Sequence, residues 1–456
     1  MTDTIAAIAT GGSRSAVGIL RISGPGAIAA LSAVFTPQGG RPLPLCGERR
    51  LIYGTLRDRD GAPIDRCLAT FSRAPASYTG EDTAELQCHG SPTVLSLGLE
   101  ALFAQGARQA RAGEFTQRAF LNGKLDLTQA EAVADLIDAE TPAAVRLSAL
   151  QLSGSLSRRV EDIYAGLTDL VAHFCAVLDY PDEDIDPFRA KTIGVALEGA
   201  REKLSALLDT YDRGRRAVRG VPCAIVGRPN AGKSSLLNAL VGYDRAIVTD
   251  IPGTTRDTIE EKCQLGGVLL RLIDTAGLRE TGDPVEALGV ARSRAAMEGA
   301  ELILVLWDGS APVTEADGAL LEEAMGLAPT ILVHTKTDLP GGPVPYLNLD
   351  PMPPLVELSA KTGEGLAALA AAVEALFPQG EPEASGELLT NLRQAQAARR
   401  ALERVESAQA GQREGMTPDA VLSDVEEALS ALGELTGRTV REDVTARIFE
   451  RFCVGK

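Results

Sequence analysis

The 456-residue sequence predicts a multidomain α/β protein: an α+β N-terminal domain, a helical bundle, and a parallel-sheet α/β domain inserted into that bundle. Three observations predict it. The length exceeds what one hydrophobic core accommodates and argues for about two to four domains. The segment 221 to 378 alternates apolar strand-like runs with helical runs, as strands joined by crossover helices do. Helical periodicity stands on both sides of that segment, so the flanking helices read as one interrupted domain.

Taken in order, residues 1–120 mix short strand-like runs, VGILRIS and AELQCHG, with Gly-Pro and Thr-Gly turn signals, which predicts a small α+β domain. Residues 121–216 change period. Leu156, Val160, Ile163, Leu167, Leu170, Phe174 and Val177 recur at spacings of four and three, the core stripe of a long amphipathic helix. An acidic, proline-containing stretch at 182–189 breaks this pattern. Residues 217–380 form the inserted α/β domain, and PQGEPEASGE (378–387) reads as a linker. Over 381–456 the helical period returns, with Thr417-Pro418 opening a helix that carries Val421, Val425, Leu429 and Leu432.

At 45% apolar and 23% charged residues the composition is that of a globular protein. No apolar run is long enough for a bilayer and the N-terminus lacks a signal-peptide pattern, so a cytoplasmic chain without membrane attachment is expected. Seven scattered cysteines without a Cys-x-x-Cys pair fit a reduced compartment and no structural zinc. The net charge of −17 weighs against a general nucleic-acid coat while leaving room for a local RNA contact. Lysine is scarce, eight against thirty-seven arginines, and five of the eight (Lys124, Lys233, Lys336, Lys361, Lys456) fall inside motifs. A compact ammonium is kept where a guanidinium would not fit.

The strand VPCAIVG runs into Gly227-Arg228-Pro229-Asn230-Ala231-Gly232-Lys233-Ser234 and then a helical run, a complete GxxxxGKS phosphate loop in its strand–loop–helix context. Backbone N–H groups from Asn230 to Ser235 cradle phosphates, Lys233 spans the outer ones, and Ser234 holds magnesium. Downstream, Thr254 and Thr255 lie in Gly-Thr-Thr-Arg-Asp, with Thr255 the second magnesium ligand. The run LLRLI leads to Asp274-Thr275-Ala276-Gly277, where Asp274 supports magnesium and Gly277 senses the γ-phosphate. The run TILVH ends in Thr335-Lys336-Thr337-Asp338, whose Asp338 can accept two hydrogen bonds from guanine while Lys336 lies along its face. Ser359-Ala360-Lys361 brings a backbone N–H to the guanine oxygen. Four motifs in this order, each after a strand, define a P-loop GTPase domain. Thr335 stands where such proteins usually carry Asn, which is expected to weaken the loop's tie to the base and to the phosphate loop.

Leu278 occupies the position from which small GTPases orient the attacking water with a glutamine and cannot do so, which leaves two routes, an arginine finger from a partner or another charge stabiliser. Asn230, with Thr249, Ile251 and Thr254, can cage a potassium ion that replaces an arginine finger; a plain loop role for Asn230 is the competing reading.

Across essentially its whole length the chain resembles the bacterial tRNA-modification GTPase MnmE (TrmE) family. The shared stretches are VGILRISGP, SYTGEDTAELQCHG, AGEFTQRAFLNGKLDLTQAEAVADLIDA and the terminal FCVGK. Departures are few: Thr335, Val454 in place of isoleucine, and Ser91 where a second glycine is common. The resemblance implies a homodimer whose G domains associate around potassium. It also implies a 5-formyl-tetrahydrofolate site, matching Arg21, Glu85, Lys124 and Lys456, in a folate-binding N-terminal domain. A carboxylate suits the donor–acceptor edge of a pterin, and Arg and Lys suit a glutamate tail. It further implies a heterotetramer with an FAD-dependent MnmG-like protein that modifies carbon 5 of wobble uridine in tRNA. Glu286 matches the family's water-positioning glutamate and Cys453 its C-terminal cysteine, for which an inert thiol is an equal alternative. A ribosome-assembly GTPase binding rRNA would share the nucleotide site but would carry a basic RNA module, and a stand-alone folate enzyme would not need four GTP motifs.

Overall fold

The computed structural model describes residues 3–179, 190–243, 261–273, 293–341, 351–378, 385–439, 448–450 and 452–455. It divides into two units: residues 1–137, 151–205 and 396–456 form one, residues 138–150 and 206–395 the other. Among the described residues no helix is long and apolar enough to cross a membrane.

The first unit is built on a seven-stranded sheet of β1 (Ile5–Ile8), β2 (Ser15–Ser23), β3 (Phe35–Pro37), β4 (Ile52–Arg57), β5 (Pro63–Ser72), β6 (Thr83–Gly90) and β7 (Arg108–Gln109), in the order β3-β4-β5-β6-β2-β1-β7. All pairs are antiparallel except β1 with β7. Alternation along β2, β5 and β6 sends Leu20, Ile22, Ala69, Phe71, Ala84 and Leu86 into a core shared with the helices Ala27–Val34 and Pro92–Ala104. The sheet and this helix meet so closely that a Cβ on Gly98 would stand 2.6 Å from Leu20 Cδ1. The same alternation turns Arg21 and Glu85 to the opposite face, where the register sets them directly across from each other.

The helix Ser155–Asp179 buries Leu156, Val160, Ile163, Leu167, Leu170 and Phe174 as the stripe requires; the Val177 side chain and residues 182–189 lie outside the described residues. It packs on the helix Pro418–Thr436, which buries Val421, Val425 and Leu432 while Leu429 stays half-buried. Thr417 does occupy the N-cap, yet its side chain makes no capping bond; Pro418 at the first position, needing no N–H partner, marks the start instead.

A buried ionic cluster ties the N-terminus to the helix Glu114–Leu121. Glu114 accepts from Arg108 Nη1 at 2.8 Å, Arg118 Nη2 at 3.2 Å and the Arg111 N–H at 2.9 Å. Arg118, fully buried, also reaches Glu81 and Asp3, each at 2.9 Å. Burial alone would raise the Glu114 pKa; its arginine and backbone donors outweigh that and hold it down to about 2. A depressed carboxylate contributes stability above its ordinary value near 4.5, and that contribution is lost as pH falls from there toward about 2. Glu114→Gln should therefore cost roughly 3 kcal/mol at neutral pH and flatten this acid limb, read by chemical denaturation across pH. An unchanged acid limb would mean that the cluster does not control stability.

The second unit is a six-stranded sheet of β8 (Val221–Gly227), β9 (Glu261–Leu265), β10 (Val268–Leu272), β11 (Leu302–Asp308), β12 (Thr330–Thr335) and β13 (Leu355–Leu358), in the order β13-β12-β11-β8-β10-β9. It is parallel except for β9–β10. The continuous apolar runs of β8, β11 and β12 are buried on both faces, as central parallel strands must be. Strands β8, β11 and β12 all deliver their C-terminal ends to one edge of the sheet, where open α/β folds bind ligands.

Candidate nucleotide and N-terminal sites

At that edge, Gly227 ends β8 and the helix Lys233–Tyr243 begins six residues later. A Cβ on Gly227 would meet Leu306 O at 2.7 Å, so the loop leaves the sheet pressed against β11. Asn230 takes a left-handed φ of 65°, which Asn tolerates better than most side chains, and its side chain is exposed. Backbone conformation is thus a reason for Asn here that is independent of any cation. Lys233 donates to Gly227 O at 2.7 Å and Arg228 O at 2.8 Å, and burial lowers its pKa. Arg228 pins the loop to the start of the helix Glu315–Leu327 through Asp317 at 3.2 Å.

The loop Thr335-Lys336-Thr337-Asp338, expected to read guanine, follows β12. Ser359, fully buried, donates to Asp338 Oδ1 at 2.8 Å and orients the carboxylate. Thr335 differs from the expectation of a weakened tie: its hydroxyl lies 2.7 Å from Ala231 O and 2.9 Å from Trp307 O. The hydroxyl has a single hydrogen for these two carbonyls; directed at Ala231 O, it ties this loop to the phosphate loop. Lys336 sits at φ 60° with its ammonium 2.6 Å from Asp308 Oδ2. Asp308 had no place in the motif reading, although a strand ending in Asp-Gly-Ser beside the loop was visible. Gly232, Ser234 and Ala360 are half-buried, and Ser235 and Lys361 are exposed. Thr249, Ile251, Thr254, Thr255, Asp274, Thr275, Ala276, Gly277, Leu278 and Glu286 lie outside the described residues.

In the first unit, Arg21 Nε donates to Glu85 Oε1 at 2.8 Å, and the Arg21 guanidinium lies 5.9 Å from the centre of the Tyr78 ring and 5.8 Å from that of Phe115. Tyr78 and Phe115 went unnoticed in sequence because only folding brings them to Arg21. The Tyr78 hydroxyl, 2.9 Å from Thr116, is raised in pKa by local desolvation although the residue as a whole stays exposed. Lys124 reaches Pro75 O at 3.2 Å, on the loop that carries Tyr78.

The C-terminal segment arrives at the same place. Phe449 and Phe452, their rings tilted by 41° with centroids 5.3 Å apart, are buried with Ala130 and half-buried Phe120. Val454 bridges to Ala112, and Arg21 Nη1 donates to Gly455 O at 3.4 Å. Gly455 is needed at φ 97°, with a Cβ there only 2.3 Å from Ile8 O. Cys453 is exposed, and its carbonyl accepts from Gly113 N at 3.3 Å. Lys456 lies outside the described residues.

The strand–GxxxxGKS–helix unit and the Thr-Lys-x-Asp and Ser-Ala-Lys loops on one sheet edge define a P-loop GTPase. The remaining domains narrow this. The family model described as the MnmE helical domain matches residues 127–453, and that described as the GTP-binding protein TrmE N-terminus matches residues 4–124. Proteins named tRNA modification GTPase MnmE from Roseiflexus sp. (strain RS-1) and Chloroflexus aurantiacus are each 44% identical over 100% of this chain, covering 99% and 100% of theirs. The chain belongs to the MnmE family. A likeness to the G domain of the T. maritima FeoB iron transporter, at 26% identity over 35% of this chain and 99% of that one, has a TM-score of 0.24, too low to weigh on the fold.

Proposed function

We propose that this chain is a potassium-activated GTPase that acts with an FAD-dependent MnmG-like protein. Together they add an aminomethyl-type group to carbon 5 of wobble uridine in tRNA, using a folate one-carbon unit. The observation that carries this reading is the presence, in one chain of this family, of a guanine-nucleotide loop set and a separate charged and aromatic N-terminal site.

In the nucleotide site, loop N–H groups and Lys233 hold the phosphates, Asp338 accepts from guanine, and Glu286 orients the attacking water. The positive end of the helix Lys233–Tyr243 adds to the anion's hold. Ser234, in the first helical turn, suits a magnesium ligand with Thr255, and magnesium held there would supply positive charge to the phosphates. Asn230, exposed at the phosphate loop, suits potassium with Thr249, Ile251 and Thr254. A potassium ion held there would supply the positive charge that an arginine finger supplies elsewhere.

In the N-terminal site, the paired Arg21 and Glu85 beside the exposed Tyr78 ring fit a flat, hydrogen-bonding heterocycle. Lys124 and Lys456 suit the carboxylates of its tail, and 5-formyl-tetrahydrofolate combines both chemistries. Glu85→Ala should weaken 5-formyl-tetrahydrofolate by roughly 10²-fold in calorimetry, the worth of a charged hydrogen-bonding pair. Equal binding by wild type and variant would place the folate elsewhere. Two copies pair through their N-terminal domains as a homodimer, and the complex with the MnmG-like protein is a heterotetramer.

Mass spectrometry of tRNA nucleosides tests the function as a whole. In cells lacking the chain the carbon-5 modification of wobble uridine should vanish, returning with wild type and not with Lys233→Ala. Persistence of the modification in the deletion strain would favour a ribosome-assembly GTPase.

A further inference from the structure

We propose that Asp308, outside every nucleotide-binding motif of the chain, is a positioning residue for guanine, acting by holding Lys336 in its place along the base. This rests on the guanine-reading role proposed for the loop 335–338.

Asp308 is the last residue of β11 and lies opposite Thr335, the last of β12. Its two oxygens have separate tasks. Oδ1 accepts from the Ser310 N–H at 3.0 Å and the Ser310 hydroxyl at 2.6 Å, which orients the carboxylate within its own turn. Oδ2 is thereby aimed across the strand gap at Lys336 Nζ, 2.6 Å away. The turn itself is fastened to the loop, since Gly309 N–H donates to Thr335 O at 2.8 Å. A Cβ at Gly309 would stand 2.5 Å from that same oxygen, so the approach is as close as backbone permits.

The pair solves a specific problem. A lysine stem has four rotatable bonds, and lying flat along a base requires most of them to be ordered before the ligand arrives. Lys336 additionally starts from a left-handed φ of 60°, a conformation uncommon for such a side chain. Tethering the ammonium at its far end orders the whole stem. Both side chains are partly shielded, 31% exposed for Lys336 and 22% for Asp308, so the contact is less screened than a surface pair. Burial alone would raise the Asp308 pKa; the bonds from Lys336 and Ser310 outweigh this, so the carboxylate stays charged through the neutral range. The tether also spends the lysine's charge locally, so Lys336 acts on the base through its stem.

The test is a double-mutant cycle on the full chain, with GDP affinity measured by calorimetry for wild type, Asp308→Asn, Lys336→Met and the double variant. Asn keeps an oxygen for Ser310, and Met keeps an apolar stem, so neither change removes the turn or the cover over the base. Each single variant should bind GDP about tenfold more weakly, the scale of a side chain's lost preorganisation. In the Lys336→Met background, Asp308→Asn should cost nothing further. KM for GTP should rise in Asp308→Asn in step with the GDP dissociation constant, with kcat moving much less. Unchanged GDP binding by Asp308→Asn, with Lys336→Met weakened, would overturn the inference and leave the guanine reading intact. An equal cost of Asp308→Asn in both backgrounds would also overturn it, because Asp308 would then act through the fold. If Lys336→Met binds GDP like wild type, holding the ammonium contributes nothing and the inference is overturned, while Asp338→Asn tests the guanine reading separately.

Discussion

Asp338→Asn is expected to weaken GTP by about 10²–10⁴-fold, two charged hydrogen bonds at roughly 1.5–3 kcal/mol each. The carboxylate can accept from both guanine donors, the ring N–H and the exocyclic amine. An amide in its place offers one acceptor and turns an N–H toward a donor, which adds repulsion to the loss. Ser359 makes the outcome sharper, because its hydroxyl holds Asp338 Oδ1 at 2.8 Å and limits how far a new side chain can swing away. The same geometry predicts a reversed preference. Xanthosine triphosphate carries a carbonyl where guanine has the amine, so the Asn N–H gains an acceptor. Titration of both proteins with GTP and xanthosine triphosphate decides the matter. Undiminished GTP binding by Asp338→Asn would remove the loop from the guanine site.

Glu286→Ala should lower GTP turnover by roughly 10²–10⁴-fold with GTP affinity nearly intact, the range for a lost group that positions or deprotonates water. On the reading proposed above, with Leu278 in the usual glutamine's place, Glu286 would orient the water and a monovalent cation would supply charge. Two comparisons separate these tasks. Wild type moved from potassium to sodium at matched ionic strength should slow markedly, and Asn230→Ala should lose most of that salt preference. Glu286→Ala should stay slow in both salts. A Glu286→Ala protein that also fails to bind GTP would show a structural residue, and equal wild-type rates in both salts would end the potassium reading.

The nucleotide loops were legible in the sequence because their chemistry is local. Phosphate recognition needs backbone N–H groups at a strand–helix junction, so Gly227 to Ser234 announce themselves within eight positions. Helical stripes such as Leu156 to Phe174 and the buried runs of β8, β11 and β12 were legible for a similar reason: burial and backbone period leave a direct trace in residue order. The proposal of an N-terminal site rests on resemblance, since nothing in the composition or period of residues 1–120 singles out Arg21 or Glu85.

Tertiary structure decided the rest, and in each case the contact joins residues far apart in the chain. Arg21 meets Glu85, Tyr78, Phe115 and the Gly455 carbonyl only because β2 pairs with β6 and two buried phenylalanines bring the C-terminal segment home. Thr335, a weakness on paper, regains its tie because Ala231 O lies within reach of its hydroxyl. Asn230 proved to have a backbone reason for its identity in addition to any ligand. Asp308 found Lys336 across two parallel strands whose ends are brought level by register. Sequence periodicity reports which face of an element is buried. It carries no record of which distant side chain waits on the other face, because that depends on strand order and register, which are settled by the packing of the whole sheet.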